Sequence, residues 1–167
     1  GLNPEQSLRA RNVWDMLGRP VVLTDEAALL ASAELPGKPL VVEDLYRSVR
    51  PAALHEGKPD DTAMIQFSSG STGEPKGVTV THRNLLATCQ AMIRASAITK
   101  HDCMLSWLPL THSTGLVGFH LTPLLAGINQ IHMPTRRFIE EPAVWLETAQ
   151  RYGATFLMAP TFALEHC

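Results

Sequence analysis

A chain of 167 residues is long enough to bury one substantial core, and its 45% hydrophobic and 18% charged residues are ordinary for a folded globular domain. Fourteen basic residues against sixteen acidic ones give a net charge of −2, with no block of like charge, which speaks against a nucleic-acid-binding arm. No apolar run approaches the length of a membrane span, and the N-terminus lacks the basic-then-apolar layout of a signal peptide, so a cytoplasmic setting is expected.

Gln6 to Leu17 reads as a helix, stopped by Gly18-Arg19-Pro20. Pro20 to Thr24 reads as a strand, Glu26 to Ala33 as a helix capped by Asp25, and Pro39 to Val42 as a second strand. This strand–helix–strand rhythm marks an α/β domain. A short helix begins at Asp44-Leu45-Tyr46, and Pro51 to Asp61 reads as a surface loop. Asp60-Asp61 has the form of a catalytic carboxylate pair, but a solvated turn is the plainer reading, since no second catalytic group is near it in sequence.

Ala63 to Phe67 and Val78 to Val80 read as strands on either side of Ser68-Ser69-Gly70-Ser71-Thr72-Gly73-Glu74-Pro75-Lys76-Gly77. Composition alone suggests a polar turn. The ordered pattern is also that of a polyphosphate cradle. Glycines let backbone N–H groups approach anionic oxygens, hydroxyls add donors, and Lys76 adds a mobile positive charge. It is not a Walker A loop, which needs Gly-Lys-Ser/Thr opening a helix. Here Pro75 precedes the lysine, and Gly77 and a strand-forming Val-Thr-Val follow it.

Thr81 is the expected N-cap of a helix from His82 to Ala95, with Leu85, Leu86, Cys89, Met92 and Ile93 facing the core. Cys103 to Leu108 reads as a central strand. It runs into Pro109-Leu110-Thr111-His112-Ser113 and then a helix from Ser113 to Ala126. Ligands collect at the carboxyl ends of strands in doubly wound sheets, which places His112 and Ser113 on the side of a site. A histidine that merely caps the helix start is the open alternative. Ile128 to Pro134 reads as a strand and Arg136-Arg137 as a surface balanced by Glu140-Glu141. A helix from Pro142 to Arg151, a strand from Ala154 to Met158 and a last helix after Pro160 complete the chain. Cys89, Cys103 and Cys167 stand at no metal or redox spacing, and the seven histidines are scattered, so no protein-only metal site is expected.

The segment Ser68 to Gly77 resembles the signature phosphate loop of the adenylate-forming enzymes, and Trp107 to Gly118 resembles that superfamily's second core motif. The wording is most like that of fatty acyl-AMP ligases and of acid-activating loading domains in polyketide and non-ribosomal peptide synthetases. Phe119 to Gly127 points the same way. Residues 60–167 carry the resemblance clearly and 1–59 only in rhythm, which divides the chain into an N-terminal portion and a loop-bearing portion.

The resemblance implies an α/β fold with a mostly parallel sheet flanked by helices, as a sub-domain of the superfamily's N-terminal domain. It implies ATP-dependent activation of a carboxylic acid to an acyl adenylate, then transfer to coenzyme A or to the phosphopantetheine of an acyl carrier protein. Ser68, Ser69, Gly70, Ser71, Thr72, Gly73 and Lys76 would hold ATP, and His112 and Ser113 would line the acyl pocket. Mg²⁺ would be held by residues outside these 167.

Three positions depart from the family wording. An acidic residue and a methionine would follow the motif histidine, where Ser113 and Thr114 stand. Asparagine would follow Pro160, where Thr161 stands. The adenine-and-magnesium motif, the ribose-binding aspartate and the catalytic lysine of the superfamily do not occur in these residues. The chain by itself is therefore expected to be inactive and, with apolar surface uncovered, to self-associate. Competing expectations are a non-catalytic structural module, favoured by the same gaps, and an unrelated phosphotransferase, disfavoured by the failed Walker order.

Overall fold

The computed structural model describes residues 4–26, 37–47, 53–68 and 75–167. The expected helix over Glu26 to Ala33 falls almost wholly outside them. The chain divides into two compact units, residues 1–57 with 65–79, and residues 58–64 with 80–167.

In the first unit, helix α1 (Pro4–Met16) leads to β1 (Leu23–Thr24), which pairs in parallel with β2 (Leu40–Val41). Short helix α2 (Val42–Tyr46) follows directly. The return after α1 is fixed by Trp14, whose indole N–H donates to the Pro20 carbonyl at 2.8 Å. The Arg19 guanidinium lies 5.6 Å from the Trp14 ring centroid. Both strands are shorter than their apolar runs suggest, because strand length is set by the partner's reach.

β3 (Thr62–Ser68) and β4 (Lys76–Thr81) form a separate two-stranded sheet. Helix α3 (His82–Ala95) begins where β4 ends, with Thr81 as its N-cap. The Thr81 hydroxyl accepts from the Asn84 N–H, and the Asn84 side chain accepts from the Thr81 N–H. The N–H groups of His82 and Arg83 donate to the carbonyls of Asp61 and Pro59. The Arg83 side chain makes a two-point contact with Asp60, at 2.8 and 2.9 Å. That hydrogen bond, more than the charge itself, holds the Asp60 carboxyl below its ordinary range. The acidic pair is thus a solvated turn that closes the start of α3.

The second unit is built on a three-stranded parallel sheet ordered β6-β5-β7. Its members are β5 (Cys103–Ser106), β6 (Asn129–His132) and β7 (Phe156–Leu157). All four residues of β5 are buried, as a central strand covered on both faces requires. Alternation along it feeds two cores. Leu105, with Trp107 just beyond the strand, joins Phe138, Trp145 and Ala163 from α5 (Thr135–Glu140), α6 (Ala143–Tyr152) and α7 (Thr161–Glu165). Met104 faces the other way, onto Phe119 and Ile128. Trp107 stacks on Phe138 at 3.9 Å, and Trp145 stands edge-on to both rings. The architecture is a mixed α/β fold, a parallel sheet with helices against it.

The expected single helix over Ser113 to Ala126 is instead a π-helix (Thr114–Leu121) continued by α4 (Thr122–Ala126). Buried Thr122 sits at the junction, and its hydroxyl donates to the Val117 carbonyl at 2.7 Å. On α3 the expected core face is only partly buried: Cys89 is buried, but Leu86 is 47% exposed. Helix α5, unread in the sequence, presents two i,i+4 ion pairs, Arg136–Glu140 and Arg137–Glu141.

Asp102 ties the start of β5 to that of β7. Its carboxylate accepts from the Thr99 N–H at 2.7 Å, the Thr99 hydroxyl at 2.9 Å and the Thr155 hydroxyl at 2.8 Å. These bonds, the Thr99 N–H foremost, hold its pKa below the ordinary carboxylate value. A depressed carboxyl stabilises the fold above its unfolded pKa and loses that contribution as pH falls through the folded value. Melting temperatures of Asp102→Asn should therefore lie below wild type near pH 6, with the gap closing below about pH 4. An equal gap at both pH values would refute this.

Candidate functional site

The phosphate-loop segment enters from β3 and leaves into β4. Ser68 is the exposed last residue of β3, and Lys76 is the exposed first residue of β4. Ser69, Gly70, Ser71, Thr72 and Gly73 lie outside the described residues. Among the described residues Lys76 has no acidic partner. Gly77 follows it, placed so that a Cβ would stand 3.1 Å from both Ile65 Cγ2 and the Phe67 ring. Both neighbours are side-chain atoms, which would have to yield by a few tenths of an ångström to admit one.

The start of α3 does not serve as an anion site. Its first N–H groups are taken by Asp61, Pro59 and the Thr81 hydroxyl, so the helix-terminus mechanism of a Walker loop is closed here.

A second group of residues gathers at the carboxyl ends of two adjacent parallel strands. After β5, the buried Ser106 hydroxyl accepts from the Leu108 N–H at 3.1 Å and ends the strand. The Thr135 hydroxyl donates to the Trp107 carbonyl at 2.8 Å. Pro109 then opens a turn closed by the His112 N–H on the Pro109 carbonyl, at 3.0 Å. The His112 carbonyl accepts from Leu116 N–H at 2.9 Å and so joins the turn to the π-helix. Gly115 packs directly on this turn. A Cβ there would lie 2.9 Å from the Pro109 carbonyl carbon and closer still to its oxygen.

Leu108, Pro109, His112 and Thr114 from this segment, with Met158, Ala159 and Pro160 beyond β7, line a pocket of about 390 Å³. Its walls are apolar except at His112 and Thr114. The His112 Nδ1 accepts from the Thr114 N–H at 3.2 Å. A ring nitrogen that accepts carries no proton, so neutral His112 keeps its proton on Nε2 and presents it as a donor. Ser113 is exposed and is not among the side chains lining the pocket; Thr114 is. Met158, Ala159 and Pro160 were missed in the sequence; the rule that sites form where strands end, applied there to His112, covers them only once β7 is known to lie beside β5.

Comparison with known proteins gives one consistent result. The family described as AMP-binding enzyme matches residues 5–167. The medium-chain-fatty-acid–[acyl-carrier-protein] ligase TtuA of Teredinibacter turnerae is 41% identical over 110 residues, covering 66% of this chain and 17% of that protein. A solved adenylation domain of a keto acid-selecting NRPS module, bound to keto acyl adenylate, superposes with a TM-score of 0.84 at 33% identity, covering 99% of this chain and 31% of that one. The fatty acyl-adenylate ligase of L. pneumophila, in complex with acyl adenylate and pyrophosphate, gives 0.84 at 30% identity, covering 100% and 31%. The chain thus spans between 17% and 31% of the length of these proteins.

Proposed function

This chain belongs to the AMP-binding enzyme family of adenylate-forming ligases, and on that premise we propose that it supplies the phosphate loop and part of the acid pocket for activation of a fatty or other acyl acid by ATP. A carboxylate oxygen attacks the α-phosphorus. The bond to the bridging oxygen breaks, and its electron pair leaves with pyrophosphate. The nucleophile is already ionised at neutral pH, so no general base is required. What the reaction needs is positioning and relief of charge. Ser68, Ser69, Gly70, Ser71, Thr72, Gly73 and Lys76 would hold the β- and γ-phosphates. His112 would donate from Nε2 to an oxygen of the carboxylate or adenylate, with Ser113 and Thr114 beside it. Transfer to the thiol of a carrier-protein phosphopantetheine, or of coenzyme A, would follow. The carrier is favoured because TtuA is named as an acyl-carrier-protein ligase. In this reading residues 60–167 are the loop-bearing portion and residues 1–59 an N-terminal portion.

Among the described residues no group of three His, Cys, Asp or Glu side chains is placed to hold a metal ion. Magnesium is assigned to none of these residues, and no step is routed through it. Among the described residues, no helix is long and apolar enough to cross a membrane.

The observation that carries the reading is the apolar pocket at the carboxyl ends of β5 and β7, with His112 held as an Nε2–H donor. Amide NMR titration tests it. ATP should shift and saturate Gly77 and the segment 69–74, and octanoate should shift His112 and Met158. His112→Ala should abolish the octanoate response and leave the ATP response unchanged. A folded spectrum unmoved by millimolar ATP and octanoate would overturn the reading in favour of a structural module.

A further inference from the structure

A second polar cluster lies on the π-helix and β6 and shares no lining residue with the pocket. Gln130 and His132, two apart on β6, project to one side of the strand. His120 reaches them from the last turn of the π-helix. The Gln130 Oε1 accepts from His120 Nδ1–H at 3.0 Å and from His132 Nε2–H at 2.8 Å. The ring centroids are 5.4 Å apart, inclined at 67°. Two imidazole nitrogens therefore converge on one oxygen.

We propose that His120 and His132 form a binding site for a borderline divalent cation of the zinc, nickel or copper class, with Gln130 Oε1 as a third, weaker donor. Imidazole suits these ions and a lone amide oxygen does not exclude them. For a tetrahedral ion held at about 2.0–2.1 Å by each ring nitrogen, the imidazole centroids would stand roughly 5 Å apart. The observed spacing is already close to that, so closing the site needs only small side-chain rotations. The chemistry balances without a net proton. Each ring gives up the N–H that Gln130 now accepts, and the proton moves to its other nitrogen, leaving a lone pair on His120 Nδ1 and on His132 Nε2. The remaining coordination positions belong to water, which makes the site open in the manner of a catalytic or exchangeable site.

Calorimetric titration of the chain, free of any affinity tag, with zinc sulfate should saturate at one equivalent. His120→Ala and His132→Ala should each weaken binding by about tenfold or more, the range already reached by losing a supporting group. His166→Ala should leave it unchanged. Long-range nitrogen–proton NMR of the unaltered chain gives a readout independent of variant folding. Without zinc, His120 should carry its proton on Nδ1 and His132 on Nε2; with zinc, both assignments should reverse. Absence of binding at millimolar zinc, tautomers unchanged by zinc, or equal affinity in folded His120→Ala and His132→Ala would each overturn the proposal.

Discussion

Gly115→Ala should be among the most damaging single-methyl changes in this molecule. The added Cβ meets the carbonyl carbon of Pro109 at 2.9 Å and the carbonyl oxygen of Leu108 at 3.0 Å. Neither is the end of a flexible side chain. The Pro109 carbonyl also accepts the bond that closes the His112 turn, so relieving the clash means opening that turn. Overpacking against yielding neighbours costs about 1–3 kcal/mol, and a backbone that cannot yield belongs at or above the upper end. For a chain of this size that corresponds to a fall of roughly 6–12 °C in melting temperature. Gly118→Ala is the matched control. Its Cβ would meet the Met92 methyl at 3.4 Å, a contact a methionine accommodates. Equal melting temperatures for the two variants would refute the account. The functional consequence is larger than the stability loss, because the displaced segment carries His112 and Thr114 and hence one wall of the pocket.

Lys76→Ala should separate function from folding. Lys76 is exposed at the first position of β4 and, among the described residues, has no acidic partner, so its removal leaves no orphaned charge. Melting temperature should stay within a degree or two of wild type. In the proposed reading its ammonium meets phosphate oxygens, and a hydrogen bond to a charged group contributes about 1.5–3 kcal/mol. Affinity for ATP should fall by about ten- to a hundredfold, read from the same amide titration. A large drop in melting temperature with undiminished ATP affinity would assign Lys76 to the scaffold and remove it from the site.

What could be read in advance followed the range over which each signal acts. The start of helix α3 was legible, because Thr81 caps it through a bond only three positions along. The central strand was legible because burial on both faces leaves an unbroken apolar run. At 136–141 the sequence showed a charge-balanced surface, and the i,i+4 pairing of those charges came only with the helix. The π-helix was not legible: from Gly115 to Phe119 it is unbroken by polar residues, so no stripe marks its period. Its register instead depends on a hydroxyl from Thr122 and on the close approach of Gly115 to Pro109. Helix α5 is only six residues long, between Pro134 and Pro142, too short to show periodicity. At the site, His112 was placed by its position after a strand, but the partnership with Met158, Ala159 and Pro160 came from strand order, which no local pattern encodes. The meeting of His120 with His132 is of the same kind.

The aromatic core has an optical consequence. Trp107 and Trp145 are buried, lie 6.4 Å apart, and neither indole N–H has a hydrogen-bond partner among the described residues. Trp14, in the other unit, donates its N–H to a carbonyl. Unbonded indoles in an apolar setting emit at short wavelength, so the two classes of tryptophan are spectrally distinguishable. Trp107 immediately precedes Leu108 and Pro109 in the pocket wall, and its carbonyl is held by Thr135. Any ligand that shifts that wall should perturb the blue emission. The protein thus carries a built-in fluorescent reporter of its pocket, needing no label and no substitution.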